Sequence, residues 1–182
     1  MTAGTPFGFA DEMRPGVRGM VRRVWGRRGV KVRRRRRLSY RWRYRFVVVD
    51  GRAGRISRCW HESMAATELP GMVRAVRQQT DLAALVWDGA PGHRDARVAA
   101  VGLPVIGLPP YAPELNPAER CFRELRRAVE GEPDASLDEK VAAAQGVLEQ
   151  WDADPDRVRS RCGWQWLEDA AQTLPADLDF VA

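Results

Sequence analysis

Cysteine is scarce in this 182-residue chain. Cys59, Cys121 and Cys162 are odd in number, widely spaced and in no C-x-x-C pair. That argues against a disulfide framework and a cysteine-based zinc site, and makes a reducing cytoplasm the expected setting. Histidine is scarcer still, with only His61 and His93. Long apolar runs are missing as well: none approaches the roughly 18 residues needed to cross a bilayer, so no membrane partner is expected. The opening MTAGTPFGFADEM has no basic stretch followed by an apolar core, so nothing in it marks the chain for secretion.

Acid is nearly absent from one segment. Residues 14–58 hold 18 Lys+Arg and a single carboxylate, Asp50, for a net charge of +17, whereas the rest of the chain nets −11. The formal +6 of the whole describes neither part. Such asymmetry predicts a polyanionic partner for the basic segment.

The hydrophobic pattern predicts a mixed α/β domain. Thr5–Glu12 reads as a short strand with Asp11 and Glu12 on opposite faces. A basic connector runs to Arg37. From Leu38, Tyr40, Trp42, Tyr44 and Phe46 alternate with Arg41, Arg43 and Arg45, which predicts a strand with one anchored face and one displaying positive charge. Asp50–Gly54 has turn chemistry, and Arg55–His61 returns as the second arm of a hairpin. A helix is expected over about 65–80. Ala83–Trp87 is a continuous apolar run ending in Asp88, as in a buried central strand. A short helix to about Val101 and a strand over 104–108 follow. Four prolines between Pro109 and Pro117 make a stiff connector. Asn116 and Pro117 then suit the N-cap and first position of a helix to about Glu130, with Phe122, Leu125 and Val129 as its buried stripe. Ser136–Glu139 is a capping box opening another helix to about Trp151, and 164–173 reads as helical.

Three acids stand at the ends of these elements: Asp11, Asp88 and Glu119. Gathered at one sheet edge, they would suit Mg²⁺, a hard cation that prefers oxygen ligands and keeps waters a phosphate can replace. Each acid also has an ordinary role, as a turn residue for the aspartates or as an N-terminal capping residue for Glu119. Glu12 would take the place of Asp11 if the strand were rotated. Spacing alone leaves these alternatives open.

The segments around the acids carry more. GFADEMRPG, LVWDGAPGHR and LPPYAPELNPAERCFRELRR resemble the catalytic blocks of bacterial insertion-sequence transposases of the mariner superfamily, the DDE endonuclease domain. Tyr111–Glu119 matches the Tyr-(Ser/Ala)-Pro-(Asp/Glu)-Leu-Asn-Pro-x-Glu signature in full, and the blocks span residues 8–127. The resemblance implies a ribonuclease H-like mixed sheet flanked by helices, with Asp11, Asp88 and Glu119 as catalytic, metal-ligating acids. It also implies two Mg²⁺ ions, replaceable by Mn²⁺, with Asp11 as the bridging ligand. The family often has Asn after the second Asp, where this chain has Gly89. His93 matches a histidine of the same block and would orient a phosphate or a metal-bound water, or else cap a helix. His61 reads as structural.

The single catalytic domain is expected over 1–182, with a core at 5–130 containing the basic hairpin region 14–58, and C-terminal helices in 131–182. Arg33, Arg34, Arg35, Arg36, Arg37, Arg41, Arg43 and Arg45 are the expected contacts to double-stranded DNA. They should supply salt-sensitive affinity and little sequence reading. Full-length relatives carry an N-terminal helix-turn-helix region for transposon ends. The expectation here is therefore a separately encoded reader or a fragment, acting as a homodimer at the nucleoid. A stand-alone nuclease of the same fold and a non-catalytic DNA binder are the competing readings.

Overall fold

The computed structural model describes residues 5–17, 25–31, 40–130, 135–167 and 169. Five strands form one sheet in the order β3-β2-β1-β4-β5. β1 is Phe7–Met13, β2 Tyr44–Asp50, β3 Arg55–His61, β4 Ala84–Trp87 and β5 Val105–Gly107. The first three pair antiparallel, and β1-β4-β5 pair parallel. The helices are α1 Leu69–Gln79, α2 Ala96–Ala99, α3 Ala118–Glu130, α4 Leu137–Asp152 and α5 Pro155–Cys162. Two short 3₁₀ turns, Pro91–Arg94 and Pro113–Leu115, lie in the loops before α2 and α3. No helix among the described residues is long and apolar enough to cross a membrane.

Both faces of the central strands are covered, so their residues are apolar in both phases of the alternation. Phe46 and Val48 of β2, Ala10 of β1, and Leu85 and Trp87 of β4 face one way, against Leu69, Met72, Val73 and Val76 of α1 and Val98 of α2. Met13, Val47 and Val49 face the other, against α3, α4 and α5. On α3 the buried stripe is Cys121, Phe122, Leu125 and Val129, as its spacing predicts, and each such large side chain contributes about 2 kcal/mol by leaving water. Glu124 gathers the outer helices, accepting hydrogen bonds from Trp151 Nε1 of α4 and from Arg157 of α5. The capping box at Ser136 and Glu139 opens α4 as expected.

The structure departs from the sequence pattern at three places. The strand expected from Leu38 begins only at Tyr44. Trp42 instead bridges Gly16, Val17 N–H donates to Arg41 O and Arg43 N–H donates to Pro15 O, while the Arg14 guanidinium lies over the Trp42 ring. These contacts close the base of the basic insert into a neck beside the C-terminal end of β1. Second, Arg45 does not join a displayed row of arginines. β2 is central and covered on both faces, so the residue opposite the aromatic phase is also inside: Arg45 is 3% exposed. It stacks over Trp60 and donates to Gln145 Oε1 at 3.1 Å, and burial, with Arg58 nearby, pulls its pKa down to about 10. Third, α5 was not expected. Asp154 caps it by accepting from Arg157 N–H, Pro155 stands in its first turn, and only Val158 and Cys162 are buried. Of the helix expected over 164–173, residues 165–167 and 169 are helical, and the remainder lies outside the described residues.

The end of α5 is fastened to the hairpin turn between β2 and β3. A Cβ on Gly51 would stand 2.3 Å from Cys162 O and 3.0 Å from Gly163 N, so backbone approaches backbone there. Gly51→Ala is therefore expected to lower stability by about 1–3 kcal/mol, read as a fall in the urea midpoint at unchanged slope.

Candidate active site

The parallel pairing of β1 and β4 sets the site. Phe7 pairs with Ala84, Gly8 with Leu85 and Phe9 with Val86. The same offset carried two residues on brings Asp11 level with Asp88. Asp11 lies on the α3 side of the sheet, in phase with Phe9 and Met13. Glu12 lies on the opposite side, where its partner across β2 is Phe46.

The third acid arrives by way of Asn116. This buried side chain accepts a hydrogen bond from Ala118 N–H at 3.0 Å, capping α3, and donates one to Ala10 O at 3.0 Å. One amide thus ties the first turn of α3 to the β1 residue next to Asp11. Glu119 follows in that turn, half-buried, with Oε2 3.2 Å from Arg126 Nη1. The sequence pattern identifies Asn116 as a cap but does not show its second bond. Nothing in the sequence pattern marks Arg126, two helical turns after Glu119, as its partner.

His93 is neither exposed nor a cap. Its ring stacks on Trp87 with centroids 3.7 Å apart and planes 13° from parallel, and it is buried. Nδ1 lies 2.6 Å from Asp88 Oδ1, and Nε2 lies 3.3 Å from Glu12 Oε1. Burial pulls the imidazole pKa down, but the flanking carboxylates of Glu12 and Asp88 outweigh it, and the net shift is upward. Asp88 also accepts from Ala90 N–H at 3.0 Å, yet its side chain remains 58% exposed and open to a ligand. Beside it, a Cβ on Gly89 would come 2.8 Å from Arg94 Nη2, so a guanidinium fills the space a side chain would take there.

Asp11 is the electrostatically costly member. Its pKa is raised to about 7, first by burial and further by the charges of Glu119, Glu12 and Asp88; a hydrogen bond from Glu12 N–H at 2.8 Å offsets part of this. Such a carboxylate calls for a cation. Among the described residues no three His, Cys, Asp or Glu side chains converge closely enough to hold one ion. The donor set still fits Mg²⁺ or Mn²⁺ chemically, because the donors are carboxylate oxygens and Asp11 is strained by negative charge.

Of the expected DNA contacts, Arg41 is exposed, Arg43 pairs with Glu62 at 3.1 Å, and Arg45 is inside. Arg33–Arg37 lie outside the described residues.

This mixed five-stranded sheet flanked by helices is a ribonuclease H-like fold. A family model described as DDE superfamily endonuclease matches residues 6–140, and the chain belongs to that family. Its fold is similar to the Mos1 strand transfer complex, at 14% identity and a TM-score of 0.63, covering 92% of this chain and 52% of that one. It is also similar to the Mos1 mariner paired end complex with Mn (13% identity, TM-score 0.52, 84% and 55% covered) and with Mg (15%, 0.53, 84% and 55%). The chain thus spans about half the length of the Mos1 chains it resembles. A search of curated proteins gives no match.

Asp11 links protonation to folding with a defined sign. Its folded pKa of about 7 lies above the ordinary 3.8. The stability this provides is complete below that lower value and is lost as pH rises through 7. Metal-free Asp11→Asn is therefore expected to exceed the wild type in stability at pH 8 by on the order of 2 kcal/mol. The gap should close toward pH 4, as urea denaturation at the two pH values will show.

Proposed function

We propose that the chain is the catalytic domain of a DNA transposase, hydrolysing a phosphodiester at a transposon end and then joining the freed 3′ hydroxyl to target DNA. The observation that supports this most is the placement of Asp11, Asp88 and Glu119 at the sheet end from which the basic insert leaves. These three acids would hold Mg²⁺ or Mn²⁺, two ions in the family's pattern. When bound, the ions activate the attacking oxygen and stabilise the leaving one.

The chain's own side chains supply the rest. Asp11 offers a half-buried carboxylate, and among the described residues no basic group stands among the causes of its raised pKa, so the site favours a cation. His93, wedged on Trp87 and held by Glu12, fixes the Asp88 carboxylate at the end of β4. Asn116 fixes Glu119, and Arg126 orients its carboxylate. Water attacks first and the DNA 3′ hydroxyl second, so no side chain forms a covalent bond with DNA. Arg41 and Arg33–Arg37 contact phosphates across the insert, giving affinity without sequence reading. The active complex, at the nucleoid, is assigned to a homodimer.

Cleavage of a labelled transposon-end duplex with Mg²⁺ tests the reading. The wild type should nick it and, given target DNA, form joined products. Asp88→Asn should lower nicking by about a thousandfold while DNA binding persists. Full nicking by that variant would contradict the assignment, and nicking without joined products would favour a stand-alone nuclease.

A further inference from the structure

Tyr111 opens the signature block, and neither the fold nor the acids explain it. Its ring is fully exposed, at 101% of the reference area. Among the described residues it is the only non-glycine with a positive φ, at 57°. It makes no hydrogen bond or ring contact with any of them. A left-handed backbone at a tyrosine costs about 1–2 kcal/mol, and an exposed ring recovers none of that by burial. Such a conformation persists only where the flanking chain dictates it, and it occurs most often at ligand-binding and catalytic sites.

The flanking chain does dictate it. Leu108 N–H donates to Trp87 O at 2.7 Å, holding one end of the loop beside Asp88. Asn116 bonds Ala10 O, holding the other end beside Asp11. The segment between therefore spans the sheet end where the acids gather, and Pro109, Pro110 and Pro113 stiffen it on both sides of the tyrosine. A ring presented on a stiff loop is already ordered before binding, so little entropy is lost when a ligand covers it.

The ligand class follows from the surroundings. The acids are placed for a phosphodiester, and the neck of the basic insert opens at the same end of the sheet. A flat ring on the loop that spans this end suits the bases that flank a phosphate. Aromatic stacking on an unpaired base is tolerant of sequence, and a base next to a reacting phosphate must leave its helical stack before another group can reach it. Resting on the DNA-acting reading above, we propose that Tyr111 is a nucleobase-stacking residue that holds an unpaired base of the strand bound at the acids.

The test uses the full chain and a fluorescein-labelled DNA duplex with a short 3′ single-stranded extension containing 2-aminopurine, in EDTA so that the DNA stays uncut. A blunt duplex serves as reference. Wild type and Tyr111→Phe should change the 2-aminopurine emission and bind the extended duplex about tenfold more tightly than the blunt one. Tyr111→Ala and Tyr111→Gly should lose both the emission change and the preference. Glycine adopts a φ of 57° without strain, so that variant removes the ring while keeping the loop, and circular dichroism verifies that it folds. If Tyr111→Gly keeps the emission change and the preference, or if the wild type binds both duplexes but distinguishes neither, the inference is overturned. A wild type that binds neither duplex would instead overturn the DNA-acting reading, and the stacking role with it.

Discussion

One side-chain amide joins the two halves of the site. The Asn116 carboxamide donates to the backbone of β1 at Ala10 and accepts from the first turn of α3 at Ala118, both at 3.0 Å. The bonds are buried, where losing either would leave an unsatisfied group worth about 1–3 kcal/mol. The β1–β4 register can bring Asp11 and Asp88 together without help from any helix. Glu119 belongs with them only because Asn116 docks the helix at that point, and because Phe122 and Leu125 seat it on the sheet behind. The prolines on either side of Asn116 restrict the approach of the chain, so the docking geometry is set locally as well as by packing.

The electrostatics of the site run against the stability of the bare chain. Asp11 is half-buried beside other carboxylates, and among the described residues no guanidinium or ammonium stands among the groups that dominate its pKa. Among the described residues the basic side chains against the acids face the other carboxylates, not Asp11: His93 lies between Asp88 and Glu12, and Arg126 is on Glu119. What remains is a net negative charge at the centre of the sheet end, next to a strongly positive insert. In the proposed function a divalent cation would answer the first, and a phosphate backbone the second. The opposed charges of the chain are in this sense one arrangement, with each part incomplete without a partner of opposite sign.

The parts of this fold visible in the sequence are those whose cause is local. The apolar run into Asp88, the proline connector with its asparagine cap, the stripe Phe122, Leu125 and Val129, and the capping box at Ser136 each carry their own signal, and each formed as expected. What the sequence hid depends on tertiary surroundings. The alternation around Arg45 has the right phase, but phase cannot tell that β2 would be covered on both sides. His93 looked like a residue at a helix start, and only stacking on Trp87 turns it into a link between two acids. α5 has just two buried positions among charged neighbours, too few for a periodic signal, although Asp154, Pro155 and Gly163 marked its ends. Tyr111 was legible as a motif letter, and its exposure and backbone conformation were not.

The proposed function depends on the acids of β1, β4 and α3 forming a divalent-cation site. Crystals of the chain soaked in Mn²⁺ and measured at a wavelength where manganese scatters anomalously test it directly. The account predicts an anomalous peak between the carboxylates of Asp11 and Asp88, lost in Asp11→Asn. Manganese bound elsewhere on the chain, with no density between those two aspartates at saturating metal, would contradict it.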